Sequence, residues 1–508
     1  MAIVLGLDLS TQSATALVLD TKSGKQLAMA RAAFGPDFPE RGHPEGFIPG
    51  GYNNEVHASP LLWLDGLELA LGCLGVLTDL SKIEAVSVSG QQHGSVYLGA
   101  DYLAAFADGS PQTSLAEKIK PVLSRETSPI WMDGSTIQEC AEIAAALGGN
   151  QAVGDLTGSV ATPRFTGPQI RRFAKNNPAL WAKTERVHLV SSFIASILAG
   201  MDVAIDTGDG AGMNLMDIRK GDWSPAALEA TAPDLAKKLP PIRPGSTVAG
   251  PISKYFVARY GFSTTCQVVI GTGDNPSSLV GMGASRPGKI VISLGTSDTL
   301  FAAIEGIRTD AAGLGHAFGN PWGGSMSLIC VRNGSLAREA IRRECGIKNW
   351  DGFSAAIDKS PAAQSAILPM EVDEITPRHS SGRIALGKNV SKESLPRAAV
   401  EGQALSMRLH SRWVGTPTTQ LLLTGGASNN QSIAQIFADV FGAPVLRLAV
   451  SDSAALGAAL RAAEAACGEK MGYLESVFCA PAPGIVPPNS ALRSAYDLLE
   501  NELAKKLS

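Results

Sequence analysis

Ile3-Val-Leu-Gly-Leu-Asp-Leu-Ser-Thr11 is a short apolar run that ends in an acid and then in hydroxyls. Ile3, Val4, Leu5 and Leu7 read as a strand, and Ser10-Thr11-Gln12-Ser13 turns the chain into a second apolar run, Ala14 to Leu19. Lys22-Ser23-Gly24 supplies the next turn, so the chain opens as a β-meander. The same unit returns near 289–303: Lys289-Ile-Val-Ile-Ser-Leu294 as strand, Gly295-Thr296-Ser297 as turn, Thr299 to Ala303 as return strand. A second echo pairs Glu84-Ala-Val-Ser-Val-Ser-Gly90 with Gln420-Leu-Leu-Leu-Thr-Gly-Gly426, each an apolar strand ending in glycine. Two such echoes point to two lobes of related topology. Strand–turn–strand matches are common by chance, so alone they leave the duplication open.

Helical patterns separate the strands. Asn430 to Phe441 places Ile433, Ile436, Phe437 and Val440 at helical spacing, and Asp452 to Ala466 is alanine-rich with a cap expected at Asp452 or Ser453. Strands alternating with helices imply an α/β fold with largely parallel central sheets. The lobe boundary is expected around Tyr260-Gly261-Phe262, giving lobes 1–262 and 263–508. Segments 101–128 and 371–395 read as surface excursions. The helix expected at 490–506 is free to return and pack on the first lobe.

At 508 residues the chain exceeds one ordinary core. With 45% hydrophobic and 18% charged residues, it is neither disordered nor collagen-like. A net charge of −4 and no dense Lys/Arg run give no footprint for nucleic acid or an anionic membrane. The seven cysteines are scattered without a Cys-x-x-Cys pair, which suits a reducing compartment and argues against a disulfide framework or a thiolate zinc site. The N-terminus lacks a basic leader and meets an acid at Asp8, a poor signal peptide. The longest apolar stretch, read near 187–200, is too short to span a bilayer. A cytoplasmic location is expected.

Val-Val-Ile-Gly-Thr-Gly-Asp-Asn-Pro (268–276) carries an acid at the tip of another apolar strand. Burying an unpaired carboxylate is costly, so Asp274 is expected to face a cleft. The bland alternative is a helix cap ahead of Pro276. The small turns at 10–13, 295–297 and 425–428 have the composition that offers backbone amides and hydroxyls to phosphates. None is a P-loop, and no Gly-x-Gly-x-x-Gly follows the first strand.

Five segments then fall in one order: Gly-Leu-Asp-Leu-Ser-Thr (6–11), Ser-Gly-Gln-Gln-His-Gly (89–94), Gly-Thr-Gly-Asp-Asn-Pro (271–276), Ser-Leu-Gly-Thr-Ser-Asp-Thr (293–299) and Thr-Gly-Gly-Ala-Ser-Asn-Asn (424–430). In that order they resemble the FGGY carbohydrate kinases, over nearly the whole chain. Within the family the likeness is to the xylulokinase branch that includes the animal enzymes. Pro129-Ile-Trp-Met-Asp133, Arg164-Phe-Thr-Gly167 and Glu374-Ile-Thr-Pro377 also resemble that branch. The Leu-Ser-Gly-Glu-Arg-Thr-Pro-like signature common in bacterial members is absent, and Leu368 to Pro377 stands in its place.

The resemblance implies a two-lobed actin-like ATPase (ribonuclease H-like) fold with duplicated mixed sheets and a central cleft. It implies ATP-dependent phosphorylation of D-xylulose, with Asp274 as general base. His93, Arg164 and Asn275 would bind the sugar. Asp8 would hold Mg²⁺, partly through water. Thr11 and Thr296 would donate to phosphate oxygens, Gly426 would let the nucleotide approach the backbone, and Asn430 and Trp350 would lie by the adenosine. Asp133, after the apolar Pro-Ile-Trp-Met run, would approach the substrate. Bland alternatives stand beside these: His93 as a satisfied core histidine, Arg164 paired with a surface acid, Trp350 as ordinary packing, Asp133 as structural. The expected partners are a ketopentose and ATP, with no nucleic acid and no membrane, on a monomer or homodimer. Kinases of D-ribulose or L-xylulose, and a non-kinase actin-like ATPase, remain as alternatives.

Overall fold

The computed structural model describes residues 2–448 and 452–507. The chain forms two compact units: Met1–Gly283 with Ala317–Ser325 and Ser451–Cys479, and Ala284–His316 with Met326–Val450 and Ala480–Ser508.

In the first unit β1 (Ile3–Leu9), β2 (Ser13–Asp20), β3 (Lys25–Ala33), β4 (Ala85–Gly90), β5 (Val248–Pro251), β6 (Gln267–Val269) and β7 (Thr272–Gly273) make a seven-stranded sheet in the order β5-β6-β4-β1-β2-β3, with β7 also on β4. β1 and β2 are antiparallel, while β1, β6 and β7 all run parallel to β4. The register sets Asp8 opposite Ser89, Leu9 opposite Gly90, and Gly273 opposite Gly90. Asp8 and Asp274 therefore stand at the same carboxyl edge of one sheet, the edge where ligands bind in open α/β folds.

Helices cover this sheet. α1 (Pro60–Leu77) packs on β2 and β3. Its start is fixed by Pro60 and by Ser59, whose Oγ accepts from the Leu61 N–H at 3.3 Å. Among the described residues α1 is the one helix long and apolar enough to cross a membrane by length and composition, but much of it is buried in the core. It, and not the 187–200 stretch, is the longest apolar helix. That stretch holds a four-residue strand, Arg186–Leu189, and α2 (Val190–Ala199). α3 (Asp274–Gly281) begins directly after β7. Segment 101–128 is less peripheral than expected: Tyr102, Phe106, Leu115 and Ile119 lie in the first core.

The second unit repeats the plan. β8 (Lys289–Leu294) and β9 (Asp298–Ile304) form an antiparallel hairpin. Its sheet continues through β10 (Ser325–Val331) beside β9, while a separate hairpin joins β11 (Ser365–Met370) to β12 (Gly382–Gly387). On the other side of β8, β13 (Gln420–Thr424) and β14 (Val445–Arg447) are both parallel. A hairpin with a parallel strand beside its first arm is the arrangement of β1, β2 and β4, so the sequence echo is a real duplication of topology. α4 (Ser335–Glu344), α5 (Trp350–Lys359), α6 (Leu395–His410) and α7 (Gln431–Phe441) surround a second core. β12 lies inside 371–395, so this segment too is not a mere excursion.

α8 (Ser453–Cys467) belongs to the first unit and α9 (Arg493–Leu507) to the second. Two expectations are corrected here. The boundary does not fall at 262/263, because β6 and β7 pair with β4 and keep the chain in the first unit as far as Gly283. The last helix packs on α6 and β12 of its own unit, with Tyr496 donating its hydroxyl to Glu401 at 2.9 Å. The first unit is closed instead by α8, whose alanine-rich surface lets backbone meet backbone. A β-carbon on Gly6 would lie 2.0 Å from the Ala455 carbonyl oxygen, and one on Gly457 would lie 1.9 Å from that of Ser277.

Candidate active site

The first unit gathers Asp8, Gln92, His93, Arg164, Asp274 and Asn275. Asp274 is the first residue of α3. The capping position belongs to Gly273, which makes no side-chain cap. Three donors converge on one carboxylate oxygen of Asp274, Oδ1: the Asn275 N–H at 2.8 Å, Asn275 Nδ2 at 3.0 Å and the Gln92 N–H at 3.4 Å. Asn275 Nδ2 also donates to Gln92 Oε1 at 2.7 Å. Both amide protons of Asn275 are thereby engaged within the protein, and its Oδ1 is the end available to a ligand hydroxyl.

His93 has φ 70°, a left-handed conformation uncommon for a non-glycine residue and typical of over-determined sites. Its ring stacks on Phe165 at 4.3 Å, and Nδ1 lies 2.8 Å from the Gly212 carbonyl oxygen. Burial, with the nearby Arg164 guanidinium, pushes its pKa down to about 3, so the ring is neutral at pH 7. Nδ1 facing a carbonyl must carry the proton, which leaves Nε2 as an acceptor. Arg164 is partly exposed, its guanidinium 5.8 Å from the Phe165 ring centroid. Asp8, one residue before the end of β1, accepts from Ser89 Oγ at 2.8 Å. Thr11, in the turn after β1, accepts from Trp131 Nε1 at 2.8 Å and keeps its own proton for donation.

The second unit holds a cavity of about 730 Å³. Thr296, Trp350, Gly426 and Asn430, four of the residues proposed from sequence for the nucleotide, all line it. Asn430 caps α7, its Oδ1 accepting from the Ile433 N–H at 3.1 Å, and donates to Ser354 Oγ at 2.8 Å. Trp350 opens α5, is 41% exposed, and packs edge-on to Phe353. Among the described residues nothing lies within 4 Å of a β-carbon built on Gly426, so the space above it is open.

Two family models match: the N-terminal domain of the FGGY family of carbohydrate kinases over residues 114–281 and the C-terminal domain over 290–466. The chain is 39% identical to a xylulose kinase of Rattus norvegicus, covering 97% of this chain and 94% of that protein. It is 39% identical to xylulose kinase 2 of Arabidopsis thaliana, covering 93% and 89%. The chain belongs to the FGGY family of carbohydrate kinases. The fold agrees: a solved xylulose kinase from Rhodospirillum rubrum superposes with a TM-score of 0.83 at 20% identity, covering 99% of this chain and 98% of that one.

Membership in the FGGY kinases implies ATP as phosphoryl donor, with a divalent metal typical. The donor set at β1 fits such an ion. Burial raises the Asp8 pKa to about 7, with the Asp274 carboxylate adding to the rise, so a cation beside Asp8 would relieve a real electrostatic cost. Mg²⁺ is commonly held by one or two carboxylates together with waters and substrate phosphates. Among the described residues no group of three or more His, Cys, Asp or Glu forms a complete cage.

Asp133 is drawn away from any ligand role. It is fully buried, its Oδ1 accepting from Ser135 Oγ at 2.6 Å and Gln169 Nε2 at 2.8 Å, and its Oδ2 from the Val56 N–H at 3.0 Å. Burial pushes its pKa up, but hydrogen bonds from His57 first, then Ser135 and Gln169, outweigh burial and hold the carboxyl below the usual carboxylate range. Sequence reasoning assigned nothing to Gln92, although it stands within the quoted Gln-Gln-His-Gly segment. It also overlooked the Gly212 carbonyl, because no local pattern reveals a partner 119 residues away.

Proposed function

We propose that this FGGY kinase transfers the γ-phosphate of ATP to D-xylulose, giving D-xylulose 5-phosphate, with Asp274 as general base. The xylulose kinases among its relatives support that substrate. The observation that carries the mechanism is the Asp274 carboxylate at the sheet edge, where among the described residues the Asn275 N–H, Asn275 Nδ2 and the Gln92 N–H all donate to Oδ1. Oδ2 is therefore the oxygen assigned to take the proton of the attacking hydroxyl. His93 Nε2 and Asn275 Oδ1 accept from sugar hydroxyls, and Arg164 donates to them. Thr296 and Thr11 donate to phosphate oxygens, while Trp350 and Asn430 hold the adenosine over Gly426. Asp8 is the residue that would hold Mg²⁺, which when bound offsets charge on the phosphates. Phosphoryl transfer rests on alignment and charge compensation, which is the kind of help these residues would give. The seven cysteines, all free thiols, suit a reducing cytoplasm.

An assay of ADP release across D-xylulose, D-ribulose and L-xylulose tests the substrate. The highest kcat/KM is expected with D-xylulose, and a clear preference for another ketose would reassign it. The base has a pH signature. Burial raises the Asp274 pKa to about 6. The carboxylate is the reactive form, so kcat/KM is expected to rise with pH through about 6 and level off above it. A flat profile from pH 5 to about 7 would contradict Asp274 as base.

The nucleotide assignment is tested by Trp350→Ala. An aromatic contact is worth roughly 0.5–1.5 kcal/mol, which corresponds to about a 2- to 12-fold rise in KM for ATP. The KM for the ketose should stay unchanged. Steady-state kinetics with each substrate varied in turn separates the two.

A further inference from the structure

Beneath the Gly295-Thr296-Ser297 turn lies a charged layer that none of the proposed contacts with ATP uses. Asp298, the first residue of β9, is completely buried, and its Oδ1 accepts from the Gly295 N–H at 3.0 Å. Arg338, from α4, is equally buried and grips that carboxylate with both ends of its fork, Nη1 to Oδ2 at 2.8 Å and Nη2 to Oδ1 at 3.0 Å. Gln403, from α6, accepts from Arg338 Nη1 at 3.0 Å and is itself locked by donating to the Asn333 carbonyl at 2.7 Å. On the other side of the turn the Gly295 carbonyl accepts from the Ser335 N–H at 2.8 Å. Gly295 is thus held at both its amide and its carbonyl. The fit leaves no slack: a β-carbon on Gly334 would lie 2.6 Å from Asp298 Oδ1 and 2.7 Å from the Thr296 carbonyl oxygen.

Stability alone is a poor reason for this layer. Removing two charges from water costs several kcal/mol per ion, and well-packed apolar groups of similar volume often serve a core as well or better. Arg338 Nε, moreover, is buried without a hydrogen-bond partner among the described residues. What a bidentate arginine–carboxylate pair offers beyond attraction is a fixed direction. Here that direction ends on a backbone turn of the 730 Å³ cavity, to whose lining Arg338 itself contributes.

We propose that Arg338 is a positioning residue for the phosphate donor: through Asp298 it holds the Gly295-Thr296-Ser297 turn in the shape that receives the phosphates of ATP. This rests on the reading of that turn as a phosphate site. The test uses two variants of the full chain. Arg338→Met combined with Asp298→Asn removes both charges together, so no buried charge is left unpaired. Arg338→Lys keeps the charge and loses the fork. In the double variant KM for ATP is expected to rise about tenfold, with the KM for the ketose within about twofold of wild type. Arg338→Lys is expected to fall between the two. A KM for ATP within about twofold of wild type in both variants, or an equal rise in both KM values, overturns the proposal. If the double variant does not fold, Arg338→Lys is judged by the same criteria. Thr296→Ala measured alongside separates the layers of inference. An unchanged KM for ATP in that variant would remove the turn as a phosphate site. A raised value there, with none in the Arg338 variants, would overturn the positioning role alone.

Discussion

Asp274→Ala is expected to lower kcat by about 10²–10⁴-fold, the usual worth of a general base, while leaving a folded protein that still binds ketose and ATP. The more telling variant is Asp274→Asn. The three protein donors all meet Oδ1, and an asparagine can present its single carbonyl oxygen to them. The local fold then survives with only the basicity removed. If Asp274 served merely to organise the start of α3, Asn would be nearly silent and Ala mildly destabilising. If it is the base, both variants lose turnover alike, and the rise of kcat/KM through about pH 6 disappears with them. Single-turnover ADP formation together with calorimetric ketose binding checks both halves. Ketose-stimulated ADP production within a fewfold of wild type in Asp274→Asn would sink the assignment.

Gly457→Ala is expected to cost about 3 kcal/mol of unfolding free energy, the upper end for overpacking. Glycine to alanine inside an ordinary helix stabilises by up to about 1 kcal/mol, so the predicted sign is opposite to helix propensity. The reason is where the methyl would go. It would sit 1.9 Å from the Ser277 carbonyl oxygen and 2.7 Å from its carbon, atoms of α3 backbone that cannot rotate aside. The reciprocal contact is as close, with a β-carbon on Gly281 falling 1.9 Å from the Ser453 carbonyl oxygen. α3 and α8 must then separate, and Asp274 at the head of α3 moves with them. A lower urea midpoint accompanied by a fall in kcat is therefore the expected result. An unchanged midpoint would mean that the two helices have room to part at no cost.

The candidate site is legible in sequence where its proposed chemistry sits on local punctuation. Asp8 and Asp274 are acids at the ends of apolar strands, and Thr296 and Gly426 lie in small turns that follow strands; such signals span a few residues. Gln92 shared the Gln-Gln-His-Gly segment yet received no role, because its link to Asn275 crosses 183 residues. Arg338 carried no signal at all. An arginine in an amphipathic helix normally reads as surface, and only the carboxylate of Asp298 explains why this one is buried.

The alternation of strands with helices determined the α/β class, the order of the five motifs carried the family resemblance, and the repeated strand–turn–strand units pointed to a duplication that strand pairing then settled. The strand–helix alternation and the repeats follow from hydrophobic periodicity and turn chemistry within short windows, whereas the resemblance rests on the motifs themselves. Only the tertiary structure decided which atoms of those motifs are spoken for. It set the Gly212 carbonyl against His93 Nδ1, spent Asp133 on structural hydrogen bonds, carried the first unit past residue 262 through β6 and β7, and kept the last helix in its own unit. Apart from the Ser135 bond to Asp133, each of these rests on a partner far along the chain. Hydrogen bonds and close backbone contacts depend on distances in space, which the spacing of residues in a sequence does not encode.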